Sequence, residues 1–362
     1  MRVRQASCGL SGIPPRHASW PYGTASFLKD GRDVNQPAAE RGELRWHPRG
    51  LNNGLVFGAT CRGVARLPPS LSYGIGRAGT WLAYHLMRGS TAAVIDNLRL
   101  PFPDRSELDL RRLALRTYRS YAKDTIDFIR SLSMSVSELE GLVREFRTGQ
   151  FDRVLAAGRG ALAVSAHFGN WELGGLLLRR LHSYPVSIVV RAELSPAVNK
   201  TRNRFRASVG IDTIEVRRHV DTALEIRRLL GENRIVAMLL DRYLDKDRVR
   251  VEFFGRSAYF LRTPALMGYL TGAPLVPSFV YTREDGYVAA VCGEPIIVGQ
   301  QGDREASIQR ATQEFAQVLE VQIRERPYCW YQFYPFWATQ PNAGQTHEPL
   351  ERRYPSGRLR QI

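Results

Sequence analysis

Lysine is nearly missing from this chain. Lys29, Lys123, Lys200 and Lys246 are its only lysines, although Lys and Arg together number 51 among 362 residues. The positive charge is therefore arginine charge, and against 35 Asp and Glu it leaves a net +16. Such an excess favours polyanionic partners: phospholipid headgroups, phosphorylated carriers or nucleic acid. Arginine in place of lysine also marks a GC-rich genome, so the charge alone is a weak pointer. Cysteine is equally sparse. Cys8, Cys61, Cys292 and Cys329 lie without Cys-x-x-Cys or Cys/His spacing, which argues against a zinc site or a disulfide framework and fits reduced thiols in a cytosolic setting. No metal or resident cofactor is expected. Nor is there an apolar run of about eighteen residues, so no spanning helix is expected, and no apolar core of a signal peptide follows Met1. A Gly-x-Ser-x-Gly elbow is missing too, which argues against a serine acyl-enzyme.

What is present is ordinary globular material, 44% hydrophobic and 24% charged, in a chain long enough for a sizeable core. Residues 1–45 carry Pro, Gly and Ser without periodicity and read as a disordered leader. Residues 46–149 read as an N-terminal helical region that associates with a membrane. Within it Ser70–Met87 is expected as a helix lying on the membrane surface, or packed on its own domain, and Ser106–Met134 as a long amphipathic helix capped by Ser106. From 150 to 340 short apolar runs alternate with helical ones. The strands are expected at Ala161–Ala166, Val186–Val190, Thr213–Val216, Ile235–Leu240, Val249–Phe254, Leu275–Tyr281 and Tyr287–Cys292. Helices are expected near 172–183, 196–209, 219–231, 262–272 and 303–325. The fold class is thus α/β, a largely parallel central sheet flanked by helices. Residues 341–362 read as a flexible tail.

One segment carries chemistry. The apolar run ending at Ala166 is followed by His167-Phe-Gly169-Asn170-Trp-Glu172, in which Asn170 suits a helix cap. A turn at the strand's C-terminal edge lets His167 and Glu172 converge, although five residues on one continuous helix would not. A carboxylate beside an imidazole fixes its tautomer and stabilises the imidazolium, so His167 is expected as a general base and Glu172 as its orienting partner. Strand C-termini are also where α/β sheets bind ligands.

This block resembles the His-x-x-x-x-Asp/Glu motif of the bacterial lipid A late acyltransferase family, within the lysophospholipid acyltransferase group. The likeness runs from about Leu51 to Trp337. It includes Asn97-Leu-Arg-Leu-Pro-Phe-Pro103, Arg191 after the second strand, Asp241-Arg242, Val251-Glu-Phe-Phe-Gly255, Thr271-Gly-Ala-Pro274 and the aromatic stretch Trp330–Trp337. The resemblance implies transfer of a fatty acyl group from an acyl carrier protein or coenzyme A thioester, a co-substrate rather than a cofactor. The acceptor would be a hydroxyl or amine of a membrane lipid or glycolipid. It implies a peripheral or monotopic enzyme on the cytoplasmic face of a bacterial inner membrane. Backbone N–H groups at Gly169 and Asn170, or an arginine, are the candidate oxyanion donors. Arg191, Arg217, Arg218 and Arg242 are candidates for holding phosphate, and Asp241 for orienting an arginine or the acceptor. Asp241-Arg242-Tyr243 and Phe253-Phe-Gly255 stand closer to branches acting on phosphatidylinositol mannosides or other acceptors, so lipid A itself is not assumed.

Two features point elsewhere and are set aside. Gly74-Ile-Gly76-Arg-Ala-Gly79 spells a dinucleotide fingerprint, but Pro68, Pro69 and Ser70 precede it where a strand is required. The C-terminal aromatics lack interleaved Lys/Arg, so they read as core or membrane-interface residues rather than a base-stacking platform, and no nucleic acid is expected. The rival readings are a non-catalytic basic membrane- or nucleic-acid-binding protein and a thioester or lipid hydrolase.

Overall fold

The sheet follows from where the apolar runs fall. The computed structural model describes residues 54–340 except 194, 217, 218 and 245, so the expected leader, the tail and the Arg217-Arg218 pair lie outside the described residues. Four helices come first: α1 (Gly54–Arg66), α2 (Pro69–Leu86), α3 (Arg88–Arg99) and α4 (Glu107–Ser131). After α5 (Val136–Leu142) the chain alternates: β1 (Val143–Arg147), α6 (Gln150–Leu155), β2 (Ala161–Ser165), α7 (Trp171–His182), β3 (Val186–Val190), α8 (Pro196–Ser208), β4 (Asp212–Glu215), α9 (His219–Gly231) and β5 (Ile235–Leu239). A hairpin of β6 (Arg248–Phe253) and β7 (Arg256–Leu261) follows. Then come α10 (Thr263–Thr271), β8 (Leu275–Thr282), β9 (Val288–Cys292) and α11 (Arg304–Glu325).

The seven-stranded sheet runs β1-β9-β8-β2-β5-β3-β4, and every neighbouring pair is parallel except β8 with β9. Five strands therefore point one way, and β9 and β1 point back. The α/β class and the largely parallel sheet are as the sequence predicts. β2 is buried at all five positions because β5 and β8 flank it and helices cover both faces, which is why it reads as an unbroken apolar run. Two strands, β1 and β7, fall outside the segments expected from the sequence. β1, Val-Arg-Glu-Phe-Arg, is an edge strand exposing Arg144 and Arg147. β7 is the return arm of the hairpin, whose two-residue turn puts Phe254 at φ 52° and Gly255 at φ 70°. Both signs match a type I′ turn, whose twist suits the strands on either side.

Ser106 caps α4 by accepting from the Asp109 N–H at 3.2 Å, as its position before the apolar period implies. The glycine-rich stretch 74–79 lies inside α2 and makes no phosphate loop. Among the described residues no helix is long and apolar enough to cross a membrane. The C-terminal aromatics are core: Trp330, Phe336 and Trp337 pack with Phe253 and Phe260 of the hairpin.

A single side chain fastens that aromatic segment. Asn97 of α3, fully enclosed, donates through Nδ2 to the carbonyls of Gln332 (2.9 Å) and Tyr334 (2.7 Å) and accepts from the Phe336 N–H at 2.9 Å. Asn97→Leu keeps the volume and strands three main-chain groups at about 1–3 kcal/mol each. We expect urea unfolding to show a loss of about 3 kcal/mol or more. A loss below 1 kcal/mol would mean the segment is held by its aromatic packing alone.

Candidate active site

His167 and Asp241 meet because two parallel strands end in register. Ser165 of β2 pairs with Leu239 of β5, and the ladder continues with the Leu240 N–H donating to the Ser165 carbonyl at 2.9 Å. Two residues beyond each strand, the side chains of His167 and Asp241 stand side by side. The carboxylate takes the imidazole Nδ1 at 2.8 Å on Oδ1 and the His167 main-chain N–H at 3.0 Å on Oδ2. A carboxylate only accepts, so Nδ1 carries a proton and Nε2 is the ring nitrogen turned away from Asp241. The Tyr331 N–H donates to the His167 carbonyl at 2.7 Å, and the Trp171 ring stands edge-on to the imidazole with centroids 5.3 Å apart.

Asp241 is sealed, 1% exposed. Burial pushes its carboxyl up, but the charge and hydrogen bonds of His167, with Arg242 beside it, outweigh burial and leave it below the ordinary carboxylate value. It is therefore ionised at neutral pH. Its two oxygens are turned to His167 and Gln332.

Glu172, expected on His167, is elsewhere. It is the second residue of α7, and the buried Arg206 of α8 grips it through Nη2 on Oε1 and Nε on Oε2 (3.2 Å), with Arg202 at 3.6 Å. Arg202 in turn reaches Glu193 at 3.4 Å. The helix turn that begins at Trp171 aims Glu172 at α8 rather than at β5, and the carboxylate beside the imidazole is that of Asp241.

The expected oxyanion donors are also committed. The Gly169 N–H donates to the Cys329 carbonyl (2.8 Å) and the Asn170 N–H to the Val280 carbonyl (2.7 Å). Gly169 has φ +57°, and a Cβ there would stand 2.0 Å from the Val280 oxygen, so only glycine fits. The Asn170 side chain caps α7 by accepting from the Leu173 N–H and donates to the Asp124 carbonyl at 2.8 Å. Both residues shape the turn that presents His167. Arg191 lies exposed just past β3. Arg242 is half-buried, with Nη2 3.5 Å from the Tyr331 carbonyl and 3.4 Å from Gln332 Oε1, and its guanidinium over the Tyr334 ring. Cys329 is buried and its thiol is pushed up by desolvation, so it is no nucleophile.

Sequence reasoning missed a second cluster. A pocket of about 60 Å³ is lined by Tyr121, Phe128, Trp171, Phe205, Asp124 and Arg202 among others. At its wall the Tyr331 hydroxyl donates to Asp124 Oδ2, and Thr282 Oγ1 donates to Oδ1 at 3.3 Å. Nearby Asp127 accepts from the Tyr73 hydroxyl and Lys123, both at 2.6 Å. Burial raises the Asp124 carboxyl to about 7, with Asp127 adding to the rise against the Tyr331 hydrogen bond and Lys123. The only sequence signal was a break in the apolar period of α4.

The site is thus an imidazole held by a buried carboxylate at the C-terminal edge of a parallel sheet, the edge where α/β proteins bind ligands. Residues 45–339 match the family model of bacterial lipid A biosynthesis acyltransferases, and the chain belongs to that family. It is an acyltransferase of lipid biosynthesis. The chain is 26% identical over 290 residues to the phosphatidylinositol mannoside acyltransferase of Mycolicibacterium smegmatis, covering 78% of this chain and 90% of that protein. It is 28% identical over 187 residues to the protein of the same name from Mycobacterium tuberculosis, 51% of this chain and 57% of that one.

Asp124 makes stability depend on pH. An acid whose folded pKa is raised keeps a proton that the unfolded chain has released. Its contribution is whole below the unfolded value near 3.8 and is lost as pH rises through about 7. Between pH 5 and 8 the wild type should lose about 2 kcal/mol more unfolding free energy than Asp124→Asn, which keeps the shape without the titration. Parallel curves for the two proteins would show that Asp124 titrates normally.

Proposed function

We propose that this enzyme moves a fatty acyl group from an acyl carrier protein or coenzyme A thioester to a hydroxyl of a membrane glycolipid, with His167 as general base and Asp241 orienting it. The observation that carries this is the His167 Nδ1 contact to the buried Asp241 carboxylate at 2.8 Å. Nε2 takes the acceptor proton as its oxygen attacks the thioester carbonyl, and Asp241 stabilises the imidazolium that forms. Collapse of the tetrahedral intermediate expels the thiolate, which recovers that proton. With the Gly169 and Asn170 N–H groups committed, Arg242 is the group beside the pair suited to the oxyanion or to a phosphate on either substrate. The glycolipid acceptor, of the phosphatidylinositol mannoside kind, is supported by the activity for which the two mycobacterial relatives are named.

The membrane setting rests on α2. Its buried positions are small, Ser72 and Thr80, with Gly76 between them so close to α4 that a Cβ would meet Ile126 Cδ1 at 2.7 Å. Its large apolar side chains face out: Leu71, Ile75, Leu82 and Leu86, each about half exposed, with Trp81 beside them. Positions spaced by four, seven and four residues form one helical stripe. A helix with its large residues outward and Arg77 and Arg88 nearby is built for an anionic lipid surface. We assign the enzyme to the cytoplasmic face of the inner membrane, peripheral or monotopic, where thioester donors are found.

Three variants test the site in an assay of labelled acyl thioester with glycolipid. His167→Ala should lower turnover at least about a hundredfold, and Asp241→Asn by about a thousandfold or more, because the amide favours the wrong tautomer. Glu172→Gln should lower the melting temperature and leave turnover within about tenfold, since the ion pair with Arg206 is what it loses. Full turnover in His167→Ala would refute the assignment, and free fatty acid as the main product would make the protein a hydrolase.

Binding to anionic vesicles should weaken with salt, as charges screen beyond about 8 Å at physiological ionic strength. It should weaken again in Ile75→Ser/Leu82→Ser. Flotation indifferent to both changes would remove α2 from the membrane.

A further inference from the structure

The second oxygen of the buried Asp241 carboxylate is held by the protein itself. Oδ2 accepts from the His167 main-chain N–H at 3.0 Å and from the side-chain amide of Gln332. Gln332 is itself 1% exposed and comes from the aromatic segment that Asn97 fastens. The chemistry of its neighbours fixes the amide. Oδ2 of Asp241 can only accept, so Nε2 faces it, and Oε1 then faces Arg242 Nη2, which can only donate, at 3.4 Å. The reverse orientation would set acceptor against acceptor and donor against donor. The preceding residue, Tyr331, holds the His167 carbonyl from the same segment.

We propose that Gln332 is a positioning residue of the acyl-transfer site. Through the Asp241 carboxylate it holds the base in line, and through Arg242 it ties the oxyanion-side guanidinium to the same frame. This rests on the reading of His167 as the base. The amide is a neutral donor, so it takes up part of the carboxylate's hydrogen-bonding capacity without adding charge. The charged or titratable groups that act on Asp241 are His167 and Arg242. The nearest hydroxyl of the same segment, on Tyr331, is spent on Asp124. Losing the amide concentrates Asp241's negative charge on the imidazole, which makes His167 more basic and less well aimed.

The test reads His167 directly by NMR titration of labelled histidine in the full chain, with His167→Gln to assign its signal among the seven histidines. Gln332→Met keeps the length and removes the donor. Gln332→Leu also removes the donor and serves if the Met variant does not fold. Either folded variant should raise the His167 pKa by about 0.5 to 1. It should also lower kcat about tenfold, with the thioester KM within about twofold, the pattern of lost alignment rather than lost binding. An unmoved His167 titration in a folded variant, whatever its melting temperature, overturns the proposal. Because the titration needs no turnover, that result is distinct from full activity in His167→Ala, which would overturn the base assignment instead.

Discussion

The register between β2 and β5 is the constraint on which the site depends. Parallel neighbours that end level with one another bring the residues just past their ends together. His167 and Asp241 are the pair so placed. A slip of one residue would turn each side chain to the opposite face of the sheet and separate them. The slip is resisted by burial: β2 is buried at every position, so any shift moves apolar side chains out of both helical layers at once. The placing of the pair is therefore held by a fully buried strand, and the turn from Ala166 to Asn170 has only to hold the imidazole over the edge. Gly169 makes that turn possible, since its close approach to the Val280 carbonyl leaves no room for a side chain.

The edge is closed by a segment remote in sequence. Residues 329–336 supply the Cys329 carbonyl to Gly169, the Tyr331 N–H to His167 and the Gln332 amide to Asp241. Their own main chain is held by Asn97 and their rings by the β6–β7 hairpin. The aromatic content of this stretch thus has a mechanical purpose. It anchors a few polar groups against a buried carboxylate that would be costly if left partly satisfied.

Most of the fold was legible because a doubly covered parallel strand leaves an unmistakable run, as in β2, β3, β5 and β8. β1 was hidden because an edge strand keeps its charges, and β7 because it begins with Arg256-Ser257 and is set by its turn. In the site, the His167 motif was readable from a strand ending just before it, and Asp241 from the same signal at Leu240. Their partnership was not, because it depends on β5 lying beside β2, and strand order is a property of the packed sheet. Glu172 was the nearer carboxylate in sequence and so attracted the role. The Arg206 guanidinium that claims it lies a whole helix away, on α8.

The outward stripe of α2 has a cause inside the protein. Ser72, Gly76 and Thr80 let the helix settle close on α4, and the Tyr73 hydroxyl bonds Asp127, which Lys123 neutralises. Close approach fixes the distance and the buried hydrogen bond fixes the rotation about the helix axis. Once both are set, Leu71, Ile75, Leu82 and Leu86 have no face to turn to but the outer one. Rotating them inward would strand Asp127 and press large side chains into a groove shaped for small ones. The same α4 receives the Asn170 side chain on its Asp124 carbonyl and, through Asp124, the Tyr331 hydroxyl. One helix thus sets both the facing of α2 and the cap of the helix that follows His167. On the proposed reading, the height of the base above a lipid surface is then fixed by the packing of α4 rather than by any contact the lipid makes.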